Sequence, residues 1–147
     1  MEEKEIVEKI EELQQDEKIS RQIEKHSSEA EVLLKDKRRM EHFLERLEKK
    51  LSIIPLAGKY LSDVPVLISL VKAYIDKEYT EIPLGSIIAI ISGLIYVISG
   101  IDLIPDAIPV FGLLDDAAVI ATVYKLVHDD IEEYKVWREI NKTQVEE

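Results

Sequence analysis

The feature that most constrains this chain is a run of twenty residues without any charge, Ile82–Ile101. As a helix with a rise of about 1.5 Å per residue, the run is about 30 Å long, which equals the apolar thickness of a bilayer. It therefore predicts either a membrane-spanning helix or the central helix of a bundle, covered on all sides. Acidic flanks at Glu81 and Asp102, with no Lys or Arg beside them, favour the central helix.

Small residues recur every seven positions along this run, in two adjacent rows. Such rows allow the backbone of another helix to come close, as is common where helices pack in membranes. The rows are Gly85, Ser92, Ser99 and Ser86, Gly93, Gly100.

Four aspartates and two prolines follow within the sixteen residues from Ile101 to Asp116. Prolines and helix starts leave backbone N–H groups without partners, and aspartate side chains accept hydrogen bonds from such groups. The first interpretation is that the aspartates cap helices and form the turn between two of them. The alternative is a site for Mg²⁺, Ca²⁺ or Mn²⁺, which prefer oxygen ligands. Its metal ligands would be Asp102, Asp106, Asp115 and Asp116.

The same run carries a pattern of fixed spacing: Tyr96, Asp102, Pro105, Asp106, Pro109, Gly112, Asp115 and Asp116. It resembles the signature of the YkvA-like family, the domain of unknown function numbered 1232, over about residues 60–128. The chain departs from that family at Gly100, where the family usually has proline, and around Ser86, where a lysine is common. The resemblance implies a small helical domain, often predicted to be membrane-associated, and no established activity.

Residues 1–54 are predicted to form a charged helical arm, with twelve basic and fifteen acidic side chains in residues 1–50. From Ala30 onward, apolar residues recur at alternating spacings of three and four residues, the pattern of a coiled-coil seam. Lys37 is a polar interruption at a core position of this seam. Two interpretations stay open: a dimerising coiled coil, and an amphipathic helix folded back on its own domain. The seam consists of Ala30, Leu33, Lys37, Met40, Leu44, Leu47, Leu51 and Ile54.

Residues 55–140 are predicted to form a compact apolar helical domain, and residues 141–147 an acidic tail. Helices are expected to begin after Asp63 and at Pro83, and a last helix is expected to begin with Asp115 or Asp116 as its cap. Nothing in the chain has the alternation of a strand. The predicted fold class is all-α: a helical hairpin or bundle of about three or four helices with a long charged N-terminal helical arm.

Composition argues against several classes of function. The chain has no cysteine, which excludes disulfides, Cys-ligated zinc and thiol catalysis, and its net charge of −11 argues against nucleic acid as a partner. The first residues lack the basic and apolar regions of a signal peptide, so we expect the cytoplasm or the cytoplasmic side of the cell membrane rather than secretion. No phosphate-binding, dinucleotide-binding or hydrolase motif is present, so the sequence indicates no catalytic residue, cofactor or small-molecule substrate.

Two weaker clusters are most simply solvated helix faces. His128, Asp129, Asp130 and Glu132 have the side chains of a metal site. The basic residues 35–39, which have Glu31 and Glu41 nearby, would suit a contact with anionic lipid.

Taken together, these features predict a non-enzymatic helical module that associates with a membrane or with other proteins. The N-terminal arm is the segment expected to mediate homo-oligomerisation. The alternative is a soluble divalent-cation-binding protein or enzyme that uses the aspartate cluster.

Overall fold

The computed structural model describes residues 3–6, 21, 23–53, 61–103 and 109–146, and it gives side-chain surroundings for these except 100–103, 109–116 and 142–146. Within this part the chain is helical, with no strand, which confirms the all-α fold class. The longer helices are α1 (Ser27–Leu34), α2 (Lys37–Ile53), α3 (Val64–Ile75), α4 (Leu84–Leu103), α5 (Pro109–Leu126) and α6 (His128–Glu146).

Helix α4, which contains most of the uncharged run, lies at the centre of the molecule. It packs against α1, α2, α3 and α5. Five of its side chains have no exposed surface and lie within about a third of its circumference: Ile87, Ile90, Ile91, Leu94 and Val97. Ser92 and Ile95, at 1% and 4% exposed, extend the buried surface beyond that face. Searched over the described residues, the helices include none long and apolar enough to cross a membrane.

Four of the eight positions of the predicted heptad seam are buried inside this single chain. Ala30 of α1 and Met40, Leu44 and Leu47 of α2 have no exposed surface and belong to the same core as α4. This burial favours the interpretation in which the N-terminal segment folds back on its own domain. Ile54, the last position of the seam, and the predicted boundary at 54–55 lie outside the described residues.

The seam does not run through one helix, and Lys37 does not occupy its core. Helix α1 ends at Leu34 and α2 starts at Lys37, because the Arg39 N–H donates to the Asp36 Oδ1 at 3.2 Å and so caps a new helix. The Lys37 side chain is 58% exposed, and its Nζ lies 2.9 Å from the Asp76 Oδ1 of α3. The expectation of a lysine at a core position was therefore wrong.

The C-terminal part also differs from the expectation at its helix boundaries. Helix α5 begins at Pro109, so Asp115 and Asp116 lie in its second turn and neither caps its N-terminus. A turn at Val127 divides the expected last helix into α5 and α6, although backbone hydrogen bonds continue on both sides of it. Helix α6 continues to Glu146, through most of the segment expected to be an acidic tail.

Helix α3 follows the sequence pattern closely. It begins after Asp63 with Pro65 in its first turn, and it buries Val64, Leu67 and Val71. Its C-terminus is closed by Lys77, which adopts a left-handed backbone with φ of 61°. This conformation lets the Glu78 N–H donate to the Ala73 carbonyl at 2.9 Å.

Candidate functional site

The four aspartates predicted as metal ligands lie around the junction of α4 and α5. Asp102 is in the last turn of α4, whereas Asp115 and Asp116 are in the second turn of α5. Asp106 lies outside the described residues, as do the side chains of the other three. The cation site therefore stays a prediction. Where side chains are described, no three His, Asp or Glu residues form a group that could hold a metal ion.

The weaker cluster at His128 is a hydrogen-bonded contact between α5 and α6. The Tyr124 hydroxyl donates to the Glu132 Oε1 at 2.5 Å, and the Lys135 Nζ donates to the Tyr124 oxygen at 2.5 Å and to the Glu132 Oε1 at 3.3 Å. These hydrogen bonds, from Tyr124 first and then Lys135, lower the pKa of Glu132. His128 packs edge-on against the Tyr124 ring, with centroids 5.7 Å apart. The Glu132 carboxylate is thus already engaged by a hydroxyl and an ammonium.

Asp130, another member of the His128 cluster, accepts a hydrogen bond from α4. The Ser86 Oγ donates to the Asp130 Oδ2 at 2.6 Å and so joins the first turn of α4 to α6. Ser86 stands near the place where the YkvA-like pattern usually has a lysine, and here a hydroxyl provides the polar contact.

A surface groove of about 960 Å³ lies between α1, α2 and α4. Its walls are formed by residues from 28–36 in and beyond α1 and from 38–46 of α2, and its floor by residues from 95–99 of α4. We call it the basic groove, because three arginines and a histidine line the α2 wall: Arg38, Arg39, His42 and Arg46.

Helix α2 places these side chains by its own periodicity. At about 100° per residue, its buried residues occupy one sector of the circumference, its glutamates a second and most of its basic residues a third. The buried sector holds Met40, Leu44 and Leu47, which face the core. The basic sector, which is turned away from the core, consists of Arg38, Arg39, Arg46, Lys49 and Lys50. Of these, the three arginines line the groove.

The first turn of α2 is held by two further contacts. The Arg39 Nε lies 3.5 Å from the Asp36 Oδ2, and Lys37 points the other way, toward Asp76 of α3. Among the described residues, no carboxylate pairs with Arg38 or His42. These two side chains are exposed and are one helical turn apart, so they are available to an anion.

The floor and inner wall of the basic groove are apolar. Ile95 and Ile98 are each only 4% exposed, and Phe43 and Leu33 are half-buried beside them. Val32, at the rim, is 52% exposed. The groove therefore combines a cationic wall with an apolar floor. The basic side chains of α2 that line the groove could be recognised in the sequence from their spacing of four residues. The apolar floor of the groove could not, because it comes from α4, a distant part of the chain.

A second groove, of about 740 Å³, lies between α2, α3 and α6. Its charges are mixed: the Lys72 Nζ donates to the Glu48 Oε1 at 2.5 Å, and the Arg138 guanidinium lies 5.7 Å from the centre of the Tyr134 ring. The Tyr134 hydroxyl is hydrogen-bonded to Ser69. Because its cations are engaged within the protein, this groove is less suited to an anion than the basic groove.

Comparison with known proteins bears on α4 and α5. Residues 86–122 match the model of a family described as "Protein of unknown function (DUF1232)", which confirms the resemblance noted in the sequence. The chain is also similar to "Uncharacterized membrane protein YkvA" of Bacillus subtilis (strain 168), with 22% identity over 80 residues, which are 54% of this chain and 76% of that protein. No solved structure matches. The floor of the basic groove lies within the matched segment, and its cationic wall lies outside it.

Proposed function

We propose that this chain is a non-enzymatic member of the family of unknown function whose model residues 86–122 match, and that it associates peripherally with anionic membranes. The compact unit is a bundle of α3, α4, α5 and α6. Helices α1 and α2 form the charged arm, folded back along that bundle. The membrane contact is the basic sector of α2 together with the basic groove.

The observation that carries this proposal is the segregation of charge on α2. This helix has six basic and three acidic side chains in a protein whose net charge is −11. A Lys or Arg close to an anionic bilayer contributes about 1 kcal/mol, within a Debye length of the surface. Most of the remaining surface is repelled by the same bilayer. The charge distribution therefore favours one orientation, with the basic sector of α2 toward the lipid.

Apolar side chains beside the basic sector support a contact deeper than the headgroup charges. Val32 is 52% exposed at the rim of the basic groove, next to the half-buried Phe43. Peripheral proteins commonly combine basic side chains with a few apolar ones that enter the headgroup region. The Bacillus subtilis relative is named a membrane protein, which supports an association with membranes.

Binding at the membrane surface is consistent with the burial of α4. Most of its described isoleucines and leucines are buried against neighbouring helices of the same chain. Their apolar surface is already used in the core, so bilayer binding through α2 requires no unfolding of the bundle. Because anionic lipids are concentrated in the cytoplasmic leaflet, we propose the cytoplasmic side of the membrane as the location.

The test is co-sedimentation of the purified full chain with vesicles. We expect binding to vesicles of phosphatidylcholine with about one third phosphatidylglycerol, weakened by raised salt, and no binding to phosphatidylcholine alone. Arg38→Gln should weaken binding. Lys125→Gln, which removes one exposed positive charge outside the groove, should leave it unchanged. Equal binding to both vesicle types, or none to either, contradicts the proposal.

Self-association is the second way in which this module could act. The seam residues Ala30, Met40, Leu44 and Leu47 are buried within one chain, so a dimer would have to use a surface other than these four. Light scattering on the full chain without lipid distinguishes the two: a stable dimer that does not bind anionic vesicles would favour a protein-interaction role.

A further inference from the structure

We infer that the basic groove holds the headgroup of one anionic glycerophospholipid, with its phosphodiester between Arg38 and His42. The inference rests on the proposed membrane association and specifies the ligand at the contact. It differs from a general attraction to charge, because it requires a saturable site for a single molecule.

The cationic wall supplies donors for a phosphodiester. Arg38 and His42 are one turn apart on α2, and no carboxylate in the described part of the chain pairs with either. A guanidinium offers a planar fork of N–H donors that matches two phosphate oxygens, and an imidazole N–H can add a third hydrogen bond. The hydroxyls of Ser28 on α1 and Ser99 on α4 line the same groove. Donors thus come from three helices.

The carboxylates of the groove limit how much negative charge it accepts. Asp36 is occupied by the Arg39 guanidinium and backbone N–H, at 3.5 Å and 3.2 Å. Glu29 lies on the opposite wall, 3.9 Å from the His26 Nδ1. An inositol polyphosphate would place several negative charges near Glu29, which is unfavourable. A phosphodiester of single charge, such as that of phosphatidylglycerol, fits this balance.

The apolar side chains of the groove favour a lipid over a free phosphate. Val32, which is 52% exposed, and the half-buried Phe43 line the groove, and a glycerol ester with the first methylenes of its acyl chains can cover these side chains. Burial of these methylenes is favourable. Inorganic phosphate makes only the polar contacts, so the groove should bind it more weakly.

The experiment is a titration of the full chain with dihexanoyl-phosphatidylglycerol below its micelle concentration, followed by amide shifts in NMR spectra. We expect saturable shifts at residues of α1, α2 and the C-terminal half of α4. Arg38→Gln should weaken the affinity about tenfold, and Lys125→Gln should not change it. Both positions are exposed, and an unchanged melting temperature confirms that the variants are folded.

Three other outcomes would overturn the inference, each in a recognisable way. If the chain binds anionic vesicles but shows no saturable shifts with the short-chain lipid, the groove is not a headgroup site, although the membrane association stands. If inorganic phosphate binds as tightly as the lipid, the site is for free phosphate. If neither vesicles nor the short-chain lipid binds, both proposals fail.

Discussion

Gly93 of α4 faces Val123 of α5 at a distance that leaves no room for a side chain. A Cβ built on Gly93 would lie 2.8 Å from the Val123 Cγ2, closer than two carbon atoms can pack. The two helices of the matched family segment are therefore held together at a point where only glycine fits. One of the small residues predicted to allow a close helix contact does so.

The first prediction is that Gly93→Ala lowers the free energy of unfolding by about 1–3 kcal/mol, because a valine that cannot rotate away must shift. Urea denaturation measures the change. Gly85→Ala is the matched control, since no atom lies within 4 Å of a Cβ placed there. That variant should be unchanged or more stable by up to about 1 kcal/mol. In a protein that already carries Val123→Ala, Gly93→Ala should lower the free energy of unfolding by less than it does in the wild type, because the space beside Gly93 is then larger.

The buried face of the N-terminal helices could be read from the sequence, but its partner could not. The spacing of Met40, Leu44 and Leu47 correctly predicts an apolar stripe, and all three are fully buried. A stripe of this kind looks the same whether it packs on a second copy or on its own domain. The choice depends on α3 and α4, which come later in the chain and both pack against α2.

Lys37 shows why one heptad position was misjudged. The seam assumed a single uninterrupted helix, but the Asp36 cap starts a new helix at Lys37. Lys37, the first residue of that helix, lies at the surface beside Asp76. Arg38 and His42 follow it and line a groove whose floor comes from α4. The Asp36 cap depends only on neighbouring residues and can be recognised in the sequence. Which groove the side chains of α2 line depends on how distant helices pack.

The second prediction concerns Lys77, which has a left-handed backbone at the end of α3, with φ of 61°. This conformation costs a residue with a Cβ about 1 kcal/mol, a cost that glycine avoids. Lys77→Gly should therefore raise the free energy of unfolding by about 1 kcal/mol in urea denaturation. Lys77→Ala keeps the strained Cβ and should show no such gain. An equal gain in both variants would mean that the lysine side chain, and not the backbone, is unfavourable.

The third prediction concerns His26, whose Nδ1 is buried without a hydrogen-bond partner. The ring is only 13% exposed and packs edge-on against Tyr96 of α4, with centroids 6.3 Å apart. An unsatisfied buried polar atom costs about 1–3 kcal/mol, and phenylalanine keeps the ring contact without that atom. His26→Phe should raise the melting temperature, whereas the exposed His42→Phe should not. A lower melting temperature would reveal that the Nδ1 has a partner in solution.

The fourth prediction is a pH dependence carried by Glu132. Its pKa is lowered by hydrogen bonds from Tyr124 and then Lys135, so the folded protein releases this proton more readily than the unfolded chain. The resulting stability is present above the unfolded pKa of about 4.3 and is lost as the pH falls through the lower folded pKa. Tyr124→Phe should therefore lower stability at neutral pH and make less difference in acid.

Two measurements check the role of Tyr124. Carboxyl NMR should show the Glu132 pKa rising toward its ordinary value in Tyr124→Phe, because the strongest of its hydrogen bonds is removed. Tyr74→Phe removes a hydroxyl without a partner among the described residues, so it should leave the Glu132 titration unchanged. If Glu132 titrates alike in wild type and Tyr124→Phe, the hydroxyl is not the group that holds the carboxylate.

The last prediction tests whether a cation binds at Asp102 and Asp106, as the second interpretation of the aspartate run requires. Asp102 lies in the last turn of α4, which has no basic side chain, and the C-terminal end of a helix disfavours a carboxylate by about 0.3–1 kcal/mol. With a chelator present, we expect Asp102→Asn to raise the free energy of unfolding by such an amount. Asp129→Asn, in the first turn of α6, should lower it, because a carboxylate is favourable there. A melting temperature that rises with Mg²⁺, Ca²⁺ or Mn²⁺ in the wild type, but not in Asp102→Asn or Asp106→Asn, would instead mean that a cation offsets the unfavourable position.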